Sequence, residues 1–478
     1  MNIPSDSDIS GIEDDSDIDE TYRLPGEAVS SSDSSESDEE EAVEATAEVE
    51  DLAPPVEEEP VVVPVAFEAG GDASEASGDP SEAGDQAGRP AKRRRVSRIQ
   101  RQFKEGDLPP QIMPENAPKP KGMDECRFEV DFFVKLFGSN NINLLTEQSN
   151  LFRAQESIRR NKNIPAITEQ EIRQIIGSLL YMSVVTLPGV KLYWRRSLRN
   201  DMVANVMPRN RFEQILSLLH ISDNTKQPAK NSPQYDRLYK IRPLLNNCAA
   251  NFEDCAEWEA VNAVDEQMCP FKGKLGIKVY IANKPIKRGV KIFALAGQSG
   301  YLHRFSVAGD NIPRLSAAEV ELLEDQGIGM SGQVVLGLLT KPEPPPDGTQ
   351  VFFDNYFASP ALLTKLLEMQ VPAACTLRRD RMDSVPLKSE KTLRQEGRGS
   401  MDFKLTDAGI LLLWWFDSKE VNVGSNHYSA HPTRVAKRWD KKEKQFVDVN
   451  VPSLISAYNS GMGGVDYCDQ FMSFYRYC

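Results

Sequence analysis

Three aspartates stand where carboxylates can do metal chemistry. Asp265 falls in a stretch of period-two alternation, with Val261, Ala263 and Asp265 set against Asn262 and Val264, and this predicts a strand. Asp354 ends a second apolar strand, Gln350–Phe353, and Asp466 heads a helix expected to start near Val465. The separations are 89 and 112 residues, so only tertiary structure can gather the three. Carboxylates from a central strand, its neighbour and a facing helix can converge at one end of a sheet. Such a cluster binds two divalent cations about 4 Å apart, one activating a water or 3′-hydroxyl and the other stabilising the leaving oxygen of a phosphodiester. Hard oxygen donors favour Mg2+ or Mn2+ over zinc. Taken singly, each Asp among 71 acidic residues would serve as well to end a strand or cap a helix.

The surrounding elements must therefore position the three. From residue 259 the hydrophobic period is two: Lys278 to Ala282, Lys291 to Leu295 and Tyr301 to Ala308 read as strands, with Gln298-Ser299-Gly300 as a turn. A helix at Ser331–Thr340, the strand Gln350–Phe353, a helix at Pro360–Met369 and a strand at Val371–Leu377 follow. Three antiparallel strands followed by α-β-α-β units is the order of an RNase H-like mixed sheet. Upstream, Val130, Phe133, Val134 and Phe137 fall at helical spacing, Thr168 to Glu171 forms a capping box, and Pro208 opens a helix carrying Phe212, Ile215 and Leu219. Tyr193-Trp194-Arg195-Arg196 would suit either nucleic-acid stacking or surface packing. Residues 378–452 break the alternation with polar, basic sequence and short apolar strands at Ile410–Phe416 and Val421–Val423, and Gly461, Gly463 and Gly464 predict a turn before the last helix.

The expected fold is α/β: an RNase H-like mixed-sheet core with a β-rich insertion, preceded by a mainly helical domain and a disordered acidic tail. Its expected limits are an acidic region at 1–90, a basic and Pro-rich linker at 91–123, a helical domain at 124–258, to which the family resemblance set out below assigns dimerisation and DNA binding, the first part of the core at 259–377, the insertion at 378–452 and the start of the last core helix at 453–478.

Charge is unevenly distributed. The 478 residues carry a formal net charge of −15, but residues 1–90 hold 28 acidic and 2 basic side chains, a net of −26. The remainder holds 43 acidic and 54 basic residues, a net of +11, as a polyanion binder requires. The leader has few large apolar groups to offset its ordering entropy and reads as disordered. Within it, Ser31 to Ser37 lie among acidic residues, a context that suits acidophilic kinases. Lys92, Arg93, Arg94 and Arg95 form a compact basic cluster, which reads as a nuclear import signal, a set of phosphate contacts or a solvated charge run. The expected localisation is the nucleus. No apolar run approaches the ~18 residues of a membrane span, and no basic and apolar leader marks secretion. Seven cysteines without a CxxC pair offer neither a disulfide scaffold nor a zinc ribbon.

The wording around the aspartates is specific. Val264-Asp265-Glu266-Gln267-Met268 is followed by Phe271-Lys272-Gly273, then by Tyr280-Ile281-Ala282-Asn283-Lys284-Pro285 with Gly289-Val290-Lys291. Phe353-Asp354-Asn355-Tyr356-Phe357 and Gly463-Gly464-Val465-Asp466 with Asp469-Gln470 come in order behind it. Met207-Pro208-Arg209-Asn210-Arg211-Phe212 and Trp414-Trp415 with Asp417-Ser418-Lys419 complete the set. Together they resemble the piggyBac transposases and the piggyBac transposable element-derived proteins, over roughly residues 125–478.

The resemblance implies a DDE/D transposase that nicks transposon ends, forms hairpins on them, excises the element and joins it at TTAA sites. Asp265, Asp354 and Asp466 would be the catalytic, metal-binding carboxylates, holding two Mg2+ or Mn2+ ions. Asp469, one helical turn on, would serve as an auxiliary ligand or as a surface cap. Lys272, Lys274, Lys284, Lys287, Arg288 and Lys291 would meet DNA phosphates, although a solvated hairpin carries such charges equally well. The implied partners are double-stranded DNA and a second copy of the chain, with no membrane. Cys478 follows Asp466 by only 12 residues, where family members continue through further helices and a Cys-rich zinc-binding domain. A domesticated or truncated, catalytically inactive nuclear DNA-binding relative is therefore the competing expectation.

Overall fold

Alternating apolar residues after Glu259 build a sheet, and helical periodicity before it builds a separate apolar cluster. The computed structural model describes residues 101–114, 119–273, 275–282, 284–309, 315–382, 385–441 and 443–474. The acidic leader 1–90 with its Ser31–Ser37 tract, the Lys92–Arg95 cluster and Lys274 lie outside the described residues.

A short strand, β1 (Phe103–Lys104), precedes six helices: α1 (Glu129–Phe137), α2 (Ser139–Arg159), α3 (Glu169–Val184), α4 (Asp201–Ala204), α5 (Arg209–Leu218) and α6 (Arg242–Cys255). The capping box at Thr168 forms as the sequence predicts, its hydroxyl accepting from the Glu171 N–H while the Glu171 carboxylate accepts from the Thr168 N–H. Glu171 also pairs with Arg211 at 2.7 Å, and Arg211 donates onward to the carbonyls of Pro165 and Ala166. α5 is thus stitched to the start of α3, and Ile172, Ile175, Phe212 and Ile215 share one core. The aromatics of the Tyr193–Arg196 cluster pack into the helical core rather than on an arginine at the surface, and Arg195 and Arg196 are exposed. Tyr193 is buried, and Trp194 lies 5.1 Å from Phe212 and donates its Nε1–H to the Met207 carbonyl at 2.8 Å. No described helix is long and apolar enough to cross a membrane.

The sheet opens with β2 (Val261–Pro270), β3 (Lys278–Tyr280), β4 (Arg288–Gly297) and β5 (Leu302–Val307). Helices α7 (Ala317–Asp325) and α8 (Met330–Thr340) lead to β6 (Gln350–Phe353), and α9 (Pro360–Glu368) leads to β7 (Ala373–Thr376). β4 runs antiparallel to both β2 and β5, while β2, β6 and β7 are parallel. This is the RNase H-like mixed order that the strand pattern predicts.

Next come α10 (Glu390–Glu396), β8 (Met401–Thr406), β9 (Leu411–Phe416), β10 (Glu420–Ser425), β11 (Arg434–Asp440), β12 (Gln445–Val451), α11 (Ser453–Gly461) and α12 (Gly464–Ser473). Residues 378–452 stand apart on composition, yet β10 pairs antiparallel with β7, and β9, β8 and β1 extend the same ten-stranded sheet. Among the described residues of this stretch only the β11–β12 hairpin forms a second sheet. The physical reason is the Leu411–Phe416 run, which is buried along its length and so reads as a central strand.

Alternate residues divide the core. Val264 and Phe353 join Leu336, Leu362 and Leu366 on one face. Val261 and Phe352 join Leu454 and Tyr458 of α11 on the other.

Candidate active site

Strand register brings two of the aspartates together. Val264 of β2 is the partner of Phe353 of β6, so Asp265 and Asp354 follow side by side where β6 ends. Period two then places Asp265 and Gln267 on the same face of β2. α12 covers that face, with Val465 packing on Ala294 and Ala296 of β4. Gln267 donates its Nε2–H to the Asp469 carboxylate at 2.7 Å, tying strand to helix. Asp466 lies exposed in the first turn of α12. Asp354 accepts the Tyr356 N–H at 2.9 Å, which fixes the turn that carries it.

The electrostatics are those of crowded anions. Burial raises the Asp265 carboxyl to about 7, and the charges of Asp354 and Asp466 push the same way against the Glu266 N–H and Lys284. Burial also raises Asp354, with Glu266 adding repulsion and the Tyr356 N–H and Lys284 opposing it. Asp469 moves up through the partial burial of its carboxyl and the nearby Asp466, although the residue as a whole presents surface to solvent. Raised carboxyls beside one another are a common mark of a functional site.

This donor set matches a hard divalent cation in kind and in charge. Asp265 and Asp354 would hold it, with Asp466 approaching from α12. Among the described residues, however, no group of three or more His, Cys, Asp or Glu side chains is gathered closely enough to enclose an ion. The pair is formed and the third carboxylate stands within electrostatic reach without closing on it.

The basic stretch divides into two sets. Lys272, Lys287 and Arg288 are exposed, the last over the Tyr280 ring at 5.1 Å. Lys284 and Lys291 turn inward to Glu266, and the Lys291 ammonium also sits 4.1 Å from the Tyr356 ring centroid. Lys284 also acts on both aspartates of the pair, and Lys291 braces the Glu266 and Tyr356 that adjoin them.

Other residues of the site carry weak sequence signals. Glu266 and Gln267 sit in the Asp265 segment, but nothing in that segment marks their partners. Arg378 donates to the Asn355 side chain, and Arg381 donates to the carbonyls of Asn355, Tyr356 and Ala358 at 2.9–3.1 Å. They clamp the loop after Asp354, and their only signal is a run of arginines after β7.

The geometry agrees with comparison to known proteins. A family model described as Transposase IS4 matches residues 129–478. The human piggyBac transposable element-derived protein 3 is 29% identical over 391 residues, covering 81% of this chain and 63% of that protein. The human piggyBac transposable element-derived protein 2 is 29% identical over 403 residues, covering 81% of this chain and 64% of its own. The chain thus spans less than two thirds of the length of these relatives. A cryo-EM structure of a piggyBac transposase synaptic complex with hairpin DNA superimposes with a TM-score of 0.60 at 21% identity, covering 75% of this chain and 71% of that one. With the paired aspartates, the mixed sheet and the family model all in agreement, the chain belongs to the piggyBac transposase family.

Proposed function

We propose that this chain binds double-stranded DNA and cleaves and joins its phosphodiesters in a metal-dependent, cut-and-paste reaction at TTAA sites, as a homodimer in the nucleus. The observation that carries the reading is the side-by-side placement of Asp265 and Asp354, with the Asp265 carboxyl raised to about 7. An anion pair this crowded calls for a cation, and Mg2+ or Mn2+ bound there would supply activation of an attacking oxygen and stabilisation of a leaving one. The protein's own part is to hold the pair. Register fixes Asp265 against Asp354, the Arg381 clamp fixes the loop, and Gln267 fixes α12. The hairpin DNA in the similar solved complex supports DNA as the partner. The TTAA target, the dimer and the nucleus rest on the family resemblance and, for the nucleus, on the Lys92–Arg95 cluster.

A second reading, DNA binding without cleavage, is favoured by the open position of Asp466. Nicking of TTAA-bearing duplex in Mg2+ or Mn2+ decides between them. We expect Asp265→Asn and Asp354→Asn each to abolish nicking, while duplex affinity stays within about threefold, because the phosphate-facing charges are untouched. Nicking that survives both substitutions removes the proposed site. Duplex binding without nicking by the unaltered protein selects the second reading.

A further inference from the structure

Glu259 is a buried carboxylate with no part in the chemistry above. Its side chain is 1% exposed, and it sits between α6 and β2, six residues before Asp265. Its oxygens accept the Ser299 N–H at 3.0 Å and the Ser299 hydroxyl at 2.5 Å, and the Nε2 of buried His303 lies 3.8 Å away. A Cβ added at Gly297 would fall 2.0 Å from a Glu259 oxygen, so the carboxylate fills the space that glycine leaves. Glu259 therefore holds the turn 297–300 from below.

The other side of that turn carries α12. A Cβ added at Gly464, the first residue of α12, would fall 2.4 Å from the Gly297 carbonyl oxygen. At Gly300, where φ is +89°, an added Cβ would meet Tyr467 and Phe471 at 3.1 Å and the Cys468 nitrogen at 3.2 Å. Gln298 donates to the Ser460 carbonyl at 2.8 Å, just ahead of the helix. The first residue of α12 thus rests backbone on backbone against Gly297, and Tyr467, Cys468 and Phe471 close on Gly300.

We propose that Glu259 is a positioning residue, a buried carboxylate that fixes the 297–300 turn as the seat of α12 and so sets where Asp466 and Asp469 stand against Asp265 and Asp354. The inference rests on the reading of those aspartates as the active site. A small movement of the seat translates the whole first turn of α12, and Asp466 is the carboxylate whose approach is incomplete.

The test uses the full chain and two readouts, hydrogen exchange of the α12 amides and Tb3+ luminescence titration. Glu259→Ala and the milder Ser299→Ala should both speed exchange across residues 464–469 and raise the Tb3+ Kd about tenfold, the scale seen when groups supporting metal ligands are removed. Glu259→Gln should stay near the unaltered protein, since an amide can accept the Ser299 N–H and donate to its hydroxyl. Unchanged exchange over 464–469 in Ser299→Ala overturns the proposal. So does a lowered Tm in Glu259→Ala with an unaltered Tb3+ Kd, which marks a merely structural role. Should Glu259→Ala fail to fold, Ser299→Ala decides alone. Tb3+ binding that Asp265→Asn leaves untouched would instead remove the active-site reading, and the exchange data would still decide whether Glu259 seats α12.

Discussion

At the scale of single residues, Asp265 makes a claim about stability that needs no substrate. Its carboxyl is raised to about 7 by burial and by its acidic neighbours, against about 3.9 in an unfolded chain. The folded state therefore holds this proton more tightly than the unfolded state. Its contribution to stability is fully present below pH ~4 and is lost as pH rises through ~7. An asparagine side chain in its place does not titrate and avoids that loss. In EDTA, Asp265→Asn should match the unaltered protein at pH ~3.5 and exceed it by roughly 2 kcal/mol at pH ~8, the full linkage value being discounted for partial solvent access. Urea midpoints at the two pH values check this, and an offset that does not change with pH would sink it. The same residue that costs the metal-free fold stability is the one a cation would relieve, the trade expected of a site built for function.

At the scale of elements, Arg211 shows what one of the recognisable motifs does. It pairs with Glu171 when both side chains are about four-fifths buried, and it reaches two carbonyls ahead of α3. Arg211→Ala should cost about 1–2 kcal/mol, because it leaves a largely buried carboxylate and carbonyls short of a donor. Arg173→Ala breaks an exposed pair with Glu169 and should cost less than about 0.5 kcal/mol. Equal losses in urea denaturation would deny Arg211 its stitching role. The capping box that seats Arg211 is legible because its two partners are three residues apart. The strand carrying Asp265 is legible because some period-two alternation survives in it, and the one ending at Asp354 because it is a short continuous apolar run. α11 is not legible. Its glycine at the end and the two beyond it suggest only a turn; Met462 and Gly463 do form that turn ahead of α12, but it does not announce the helix before it. Gly463 has an ordinary φ of −76°, and a Cβ at Gly461 would meet the Phe352 ring at 2.5 Å. Gly461 and Gly464 are needed for close approach, the one to Phe352 of β6 and the other to the backbone of β4, a long-range demand that no local pattern announces. The place of β8–β10 in the sheet is hidden for the same reason, since composition marks where the alternation breaks but not which strand will pair with β7.

At the scale of the whole molecule, sequence gives a basic body of net +11 behind an acidic leader of −26, but only the structure says which cations are free to meet a phosphate. Lys272, Lys287 and Arg288 are exposed around the β3–β4 hairpin, whereas Lys284 and Lys291 are engaged by Glu266. Counterion release converts that distinction into a slope. Each phosphate neutralised adds about 0.9 to the magnitude of dlogK/dlog[salt] on duplex DNA. Replacing Lys272, Lys287 and Arg288 together by Ala should therefore lower the slope by roughly 2–3 and weaken binding across all duplex sequences alike. Replacing Lys284 and Lys291 together should leave the slope within about 0.5 of the unaltered value, because neither cation is free to displace a counterion. Its effect should fall on Glu266 and the loop of Asp354, and so on nicking. Titrations of a fluorescent duplex between roughly 50 and 200 mM salt read both variants, the range over which such slopes are resolved. A slope lost equally in the two would mean that the inward lysines swing out to DNA and that the acidic pair gives up its bracing cations when DNA binds.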